Sequence, residues 1–221
     1  MNRRSFVVAT ALVCAAAGCG RGFALRVPGA PREWKRIAAG PAVVSVVEFD
    51  GSGGLKPRSD WTYDATMNVD AAVGARVQRA GGRAFVPADV AHTDVTSDDF
   101  RHWTSRALQE IAGRIAGTHA SAQRSVGEWR YPESLTTWRA ALGADFVLAV
   151  LFIDAYESAG AGSSGSAASR YDAAQTGIAC LVDLGDGRVV ACEASTHRFG
   201  DLRTAEAARA AVADLADRVC P

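Results

Sequence analysis

The apolar positions of this chain fall into short runs that resemble strands and longer stretches with helical spacing. The run Ala144–Ile153 is almost wholly apolar, which predicts a central strand covered on both faces. Val43–Phe49 is rich in β-branched residues and predicts a first strand, and Arg83–Pro87 predicts a short second one. A hairpin is predicted within Thr176–Thr196, around the turn residues Gly185-Asp186-Gly187.

Four other stretches have the spacing of amphipathic helices. Residues 63–80 carry apolar side chains on one side, with Thr62 as the predicted cap. The acidic start Thr96-Ser97-Asp98-Asp99 opens a second helix, since carboxylates favour the positive end of the helix dipole. A short helix is predicted over residues 132–142 and a last one over residues 204–219.

The order of these elements predicts the fold class. Strands that are separated by helices favour parallel pairing, whereas a hairpin must pair antiparallel. We therefore expect an α/β (α+β) fold, with a single mixed sheet of about five strands. Three of them are expected to be parallel, the C-terminal hairpin is antiparallel, and helices flank the sheet on both faces.

The N-terminus has the pattern of a bacterial lipoprotein signal. Arg3 and Arg4 are followed by the short apolar run Phe6–Ala17 and by the lipobox-like tetrad Ala16-Ala17-Gly18-Cys19. Such a tetrad predicts acylation of the Cys19 thiol and cleavage before it, and an ordinary signal peptide cut nearby is the alternative. The two arginines also resemble a twin-arginine signal, so both this route and general secretion stay open.

Three segments follow from this interpretation. We expect a lipoprotein signal peptide at 1–18, the lipidated cysteine with a tether at 19–41, and a single α/β domain at 42–221. The tether is rich in glycine and proline, which predicts little regular structure there. By resemblance to lipoprotein sorting in Gram-negative bacteria, Gly20 in place of an aspartate favours the outer membrane, facing the periplasm.

The balance of basic and acidic side chains indicates which partners the mature protein can attract. Cleavage before the cysteine removes two arginines and no acid, which leaves 22 basic against 24 acidic side chains. Because no basic patch stands out, we expect no nucleic-acid partner. Attachment to the membrane is instead expected through the N-terminal lipid.

No motif assigns a catalytic residue, a cofactor or a metal. Gly160–Gly165 spells a dinucleotide fingerprint, but it follows Ile153 by seven residues and opens no helix that would hold a pyrophosphate. The four histidines lack metal-binding spacing, and no GxSxG elbow is present. We therefore expect none of these groups, and we interpret the glycine- and serine-rich segment 155–173 as a mobile loop.

Acidic side chains gather where the first and central strands are predicted to end. Asp50 and Asp60 follow the first strand, and Asp154, Tyr156 and Glu157 are predicted to leave the central one. If these strands are parallel, both groups lie on one rim of the sheet, where ligands bind in open α/β folds. Carboxylates there would suit acid–base chemistry or a cation, and the alternative is that they cap helices and solvate loops.

The cysteine spacing predicts one disulfide. Two of the five cysteines lie in the export signal or at its end, which leaves Cys180, Cys192 and Cys220. In the predicted hairpin register Cys180 faces Cys192, and Val182 faces Val190. Directly opposite residues are within disulfide range, and the periplasm is oxidising. We expect this bond and a free Cys220, with two buried thiols as the alternative.

Five short pieces of the chain, in order, resemble a group of uncharacterised bacterial lipoproteins. The pieces are Asp60-Trp61-Thr62, Ala144-Asp145-Phe146, Asp154 to Gly160, Leu181-Val182-Asp183-Leu184 and Gly200 to Thr204. That group has no established activity, so the resemblance carries over no catalytic residue. The order of strands is more distantly similar to the small α/β domain of the curli-secretion lipoprotein and to the amino-terminal domain of the Tol propeller protein. This similarity implies an envelope assembly or binding module.

The expected function is therefore that of a lipid-anchored periplasmic protein of the cell envelope. A non-enzymatic binding or assembly module is the leading hypothesis, with another envelope protein or a second copy of the chain as partner. The alternative is an envelope hydrolase that uses the carboxylates of the rim.

Overall fold

The computed structural model describes residues 23–27, 30–31, 33–49, 55–115, 129–157, 175–195 and 200–220. The strands are β1 (Phe23–Arg26), β2 (Ile37–Ala39), β3 (Val43–Phe49), β4 (Leu55–Pro57), β5 (Phe146–Glu157), β6 (Gln175–Asp183) and β7 (Val189–Ser195). The helices are α1 (Ser59–Arg79), α2 (Ser97–Ile115), α3 (Thr137–Leu142) and α4 (Ala205–Val219). Short 3-10 turns occupy Trp34–Arg36, Pro87–Val90 and Glu133–Thr136.

The strands form one open mixed sheet in the order β1-β7-β6-β5-β3-β4, with β2 also paired to β5. β2 and β3 run parallel to β5 along the same edge, whereas β6, β7, β1 and β4 pair antiparallel with their neighbours. The predicted mixed sheet is confirmed. It has seven strands in the described residues rather than about five.

Both faces of the sheet are covered, as the apolar pattern of β5 predicts. Alternate side chains of a strand point to opposite faces. One face of β5 packs with α2 and α3, and the other packs with α1 and α4. The first face carries Val147, Ala149, Leu151 and Ile153, and the second carries Leu148, Val150, Phe152 and Tyr156.

β5 is longer than the apolar run from which it was predicted. Asp154–Glu157 continue the strand instead of leaving it. Asp154 and Tyr156 are buried, with 0% and 3% of their surface exposed. The sequence interpretation was wrong here because a polar residue normally ends a buried run, unless hydrogen-bond partners on other elements satisfy it.

The segment predicted as a tether is partly built into the domain. β1 pairs with β7, and β2 pairs with β5. The Trp34 indole N–H donates to the carbonyl of Cys220 at 2.9 Å, which joins this segment to the end of α4. The prediction of little regular structure is therefore wrong for residues 23–26 and 34–39. Both short strands are held by pairing with strands from distant parts of the chain, and β2 is buried as well.

The predicted strand at Arg83–Pro87 is reduced to one bridge. Arg83 pairs with Ala38 in parallel, and the Arg83 N–H donates to the Ile37 carbonyl at 2.9 Å. Gly82 fits this approach because an added Cβ would lie 2.5 Å from that same carbonyl oxygen. The chain then turns into the 3-10 segment at Pro87–Val90, so no ladder extends beyond the bridge.

The side chains that cap the N-termini of α2 and α4 are close in sequence to the helix start, whereas α1 begins elsewhere than predicted. The Thr96 hydroxyl accepts from the Asp99 N–H, and the Asp99 carboxylate accepts from the Thr96 N–H, which is the expected cap of α2. Thr204 caps α4. The predicted cap at Thr62 is wrong, because α1 begins at Ser59 and the Thr62 hydroxyl instead accepts from the Val46 N–H at 3.0 Å.

The hairpin contains the predicted disulfide. Cys180 and Cys192 are bonded and directly opposite each other, and Cys220 is free and buried. The predicted register fails closer to the turn, where a bulge makes Val182 face Val189 instead of Val190. Such an extra residue is accommodated by local twisting of the strand.

Candidate functional site

The ends of β3 and β5 and the beginning of β6 form one rim of the sheet. Phe49 pairs with Glu157, and Asp154 pairs with Gln175 of β6. Five polar side chains meet below this rim, on the face covered by α1 and α4. We call them the rim cluster: Asp154, Tyr156, Gln175, Asp201 and Arg203.

Asp154 is the buried centre of the rim cluster. Its Oδ1 accepts from the Gln175 amide at 2.9 Å, and its Oδ2 accepts a short hydrogen bond from the Tyr156 hydroxyl. The same amide also donates to the Gly200 carbonyl. Two neighbouring strands and the chain before α4 are therefore joined at one carboxylate.

Asp201 forms an ion pair with Arg203, two residues later in the chain. The Arg203 side chain contacts both Asp201 oxygens, at 2.8 and 2.7 Å, and the Arg203 backbone N–H donates to Oδ1 at 3.0 Å. The Tyr156 oxygen lies 3.1 Å from the same Oδ1. Asn68 of α1 donates to the Arg203 carbonyl at 2.6 Å, so the turn before α4 is fixed to both β5 and α1.

The two carboxylates of the rim cluster differ in acidity. Burial raises the pKa of Asp154 to about 6, despite hydrogen bonds from Tyr156 and Gln175. Burial also acts on Asp201, but hydrogen bonds from Arg203 outweigh it and hold the pKa of Asp201 below its usual range. Burial and the neighbouring Asp154 raise the pKa of Tyr156, so this phenol stays protonated and has one proton to share between two carboxylates.

An aromatic and arginine layer borders the rim cluster on α1. The Trp61 ring meets Tyr156 edge-on, with 5.5 Å between centroids. The guanidinium groups of Arg58 and Arg203 lie 3.6 and 4.2 Å from the centre of the Trp61 ring. Arg58 also pairs with Asp60 at 2.8 Å, and this hydrogen bond lowers the pKa of Asp60 to about 2. Asp60 therefore lies beside the rim cluster and outside its buried centre.

The structure thus brings together only part of the predicted rim set. Asp154 and Tyr156 are central, and Asp60 is joined to them through Trp61. Asp50, like most of segment 155–173, lies outside the described residues, and of Glu157 only the backbone is described. The sequence interpretation missed Gln175, for which no local signal exists. Asp201 and Arg203 belong to the Gly200 to Thr204 piece that carries the resemblance, but nothing in the sequence connected them to β5.

The rim cluster is suited to holding the fold and to sharing a proton. Hydrogen bonds join its carboxylates, phenol and amide to one another or to the adjacent backbone, as buried polar groups require. Two carboxylates whose pKa values are pushed apart are also the arrangement found in acid–base catalysis. Among the described residues no group of three or more His, Cys, Asp or Glu side chains is placed to bind a metal.

A shallow pocket of about 370 Å³ lies at the opposite end of the sheet. Asp145 pairs there with Arg36, and with Arg139 at 2.8 Å. These pairs leave the lining with two basic and three acidic side chains, a small acidic excess. Its lining residues are Arg36, Arg139, Asp145, Phe146, Asp183, Gly185 and Asp186.

Comparisons with known proteins find a distant likeness in fold. No family model and no curated protein matches the chain. Two crystal structures of the PelC dodecamer from Paraburkholderia phytofirmans are 13% and 14% identical, cover 90% and 91% of this chain and 99% and 98% of theirs, and have TM-scores of 0.40 and 0.41. Lipoprotein GNA1162 from Neisseria meningitidis is 14% identical, with 76% and 81% of the two chains covered and a TM-score of 0.31.

These similarities are too low to transfer the role of any residue. The likeness is to a lipoprotein and to PelC, at the level of fold only. None of the helices in the described ranges is long and apolar enough to cross a membrane.

Proposed function

We propose that this protein is a lipid-anchored module of the bacterial cell envelope that binds or assembles with another envelope component. The observation that carries this proposal is the Cys180–Cys192 disulfide in a chain whose first 19 residues have the pattern of an export signal. Disulfides persist in oxidising compartments such as the periplasm and are rare in the cytosol. Both features therefore support export, and Cys19 supplies the attachment point.

The burial of the rim cluster supports a binding module over an enzyme. Asp154 has no exposed surface, and its oxygens are engaged by Tyr156 and Gln175. A carboxylate held in this way is engaged inside the fold and does not face a substrate. Recognition is then expected at an edge of the sheet, and in the described part of the chain β1 is an edge strand to which a partner could add a further strand.

The sheet edge is tested by crosslinking in cells. A photoreactive amino acid at Ala24 of β1 is expected to trap an envelope protein or a second copy of the chain. The same group at Arg79, an exposed residue at the end of α1, serves as control. Equal crosslinking at both positions would contradict recognition at this edge.

Acylation is tested by replacing the anchor cysteine. Cys19→Ser should leave the precursor uncut and unlabelled by a fatty-acid analogue, because the serine hydroxyl does not form the thioether. Cys220→Ser is the matched control and should be processed and labelled like the wild type, since Cys220 is buried at the end of α4. Normal processing and membrane retention of Cys19→Ser would refute the anchor.

An envelope hydrolase is the second candidate. It is favoured by the separation of the pKa values of Asp154 and Asp201 across Tyr156. Asp154→Asn keeps the shape of the side chain but removes its acid–base chemistry. If cells with a folded and correctly located Asp154→Asn protein behave like a deletion strain, the hydrolase is supported; normal behaviour supports the binding module.

A further inference from the structure

The distance between the anchor and the sheet is short. Only Gly20, Arg21 and Gly22 separate Cys19 from Phe23, the first residue of β1. Four extended residues span at most about 14 Å. If Cys19 is acylated, which is part of the function proposed above, the start of β1 lies within about 14 Å of the bilayer surface.

β1 begins at the rim of the sheet. Phe23 pairs with Ala194, near the end of β7, and Ser195 pairs with Gly177 near the beginning of β6. The rim cluster lies at this same end. The hairpin turn after Asp183 lies at the other end, eight residues along β6 from Gln175, or roughly 26 Å away at ~3.3 Å per residue.

Exposed apolar side chains lie at the rim end of α1. Tyr63 and Met67 expose 67% and 55% of their surface and are four residues apart, so they share one side of the helix. Asn68 next to them donates to the carbonyl of Arg203, which places this part of α1 beside the rim cluster. A tyrosine with an apolar ring and a polar hydroxyl is a preferred side chain at the membrane interface.

In the described part of the rim, the arginines are paired with acidic side chains. Arg58 pairs with Glu48 and Asp60, and Arg203 pairs with Asp201. The cleaved chain has two more acidic than basic side chains. Apolar contact with a zwitterionic lipid surface therefore fits this end better than attraction to anionic headgroups.

We propose that the rim of the sheet faces the phospholipid bilayer, with Tyr63 and Met67 in contact with the lipid interface. The hairpin turn and the pocket around Asp145 then point away from the membrane, where they are accessible to soluble or opposing partners. The short connection to Cys19 limits the distance between the domain and the bilayer. A contact of Tyr63 and Met67 with lipid requires that the rim faces the membrane, rather than the β1 edge of the sheet.

The orientation is tested with the acylated, cleaved protein in phosphatidylcholine vesicles that carry a nitroxide-labelled lipid. Single cysteines at Tyr63→Cys, Met67→Cys and Asp186→Cys, each combined with Cys220→Ser, carry a fluorophore. Labels at 63 and 67 should be quenched several-fold more than the label at 186 in the hairpin turn. Equal quenching at all three sites, or stronger quenching at 186, overturns the proposal.

A further variant isolates the role of the exposed pair. Tyr63→Ser with Met67→Ser should lower the quenching of a label at Glu206, in the first turn of α4 at the same rim. Unchanged quenching would contradict the lipid contact. A wild-type protein that is not acylated and does not float with vesicles overturns the anchor and the orientation together, whereas an anchored protein with uniform quenching overturns the orientation alone.

Discussion

Asp154→Asn is expected to stabilise the protein at neutral pH. The wild-type carboxylate is buried, and its two oxygens accept from Gln175 and from Tyr156. In the variant the amide oxygen accepts from Gln175, and the amide nitrogen donates to the Tyr156 oxygen. Tyr156 then donates its single proton to Asp201, so every polar group keeps a partner and no charge is buried at position 154.

The size of the effect follows from the pKa of Asp154. Burial raises this pKa from its ordinary value of 3.8 to about 6. A pKa difference of about two units, at ~1.4 kcal/mol per unit, changes the free energy of unfolding of the wild type by roughly 3 kcal/mol. Because the folded pKa lies above the unfolded one, the stability that the protonated Asp154 contributes is fully present below pH 3.8. It is lost as pH rises through about 6.

The measurement is urea unfolding of the purified mature protein in nonionic detergent between pH 4 and 8. The free energy of unfolding of Asp154→Asn minus that of the wild type should rise across this range to at most roughly 3 kcal/mol. At this upper limit the Tm would be about 6–12 °C higher than that of the wild type. Titration of unrelated groups cancels in the difference.

The matched control is Asp217→Asn, which changes an exposed carboxylate that pairs with Arg76 on the surface. Its effect should stay below about 1 kcal/mol. A difference between Asp154→Asn and the wild type that is flat from pH 4 to 7 would refute the reasoning about the rim cluster.

Two further predictions concern packing and the disulfide. Gly177→Ala should destabilise the protein by about 1–3 kcal/mol, because the new Cβ would lie 2.6 Å from Leu215. Gly74→Ala is its control within α1. The new Cβ there would lie 3.7 Å from the Ala84 Cβ, an ordinary contact, so the free energy of unfolding should rise by about 0.5–1 kcal/mol. Both variants are measured by urea unfolding. Removing the Cys180–Cys192 bond by a double alanine substitution should cost at most roughly 3 kcal/mol. Non-reducing peptide mapping of exported protein checks the pairing, and two alkylated thiols would contradict it.

The sequence by itself determined the elements whose pattern is regular and local. The apolar run after Ala144 predicted a strand buried on both faces, and helical spacing predicted all four helices, α1 to α4. Thr96 and Asp99 marked the start of α2 because a helix cap is formed within four residues. The pairing of Cys180 with Cys192 followed from counting back from a short turn.

Only the tertiary structure decided which short segments join the sheet and which polar residues are buried. β1 and β2 have four and three residues, too few for a detectable period, and they are held by β7 and β5 from far along the chain. Asp154 remains inside a strand because Gln175 and Tyr156 donate hydrogen bonds to its carboxylate, and the Tyr156 hydroxyl also contacts Asp201. Gln175 lies 21 residues from Asp154 along the chain and Asp201 lies farther, so no local pattern predicts these contacts. The cost of burying a carboxylate is offset by partners that only the folded chain brings together.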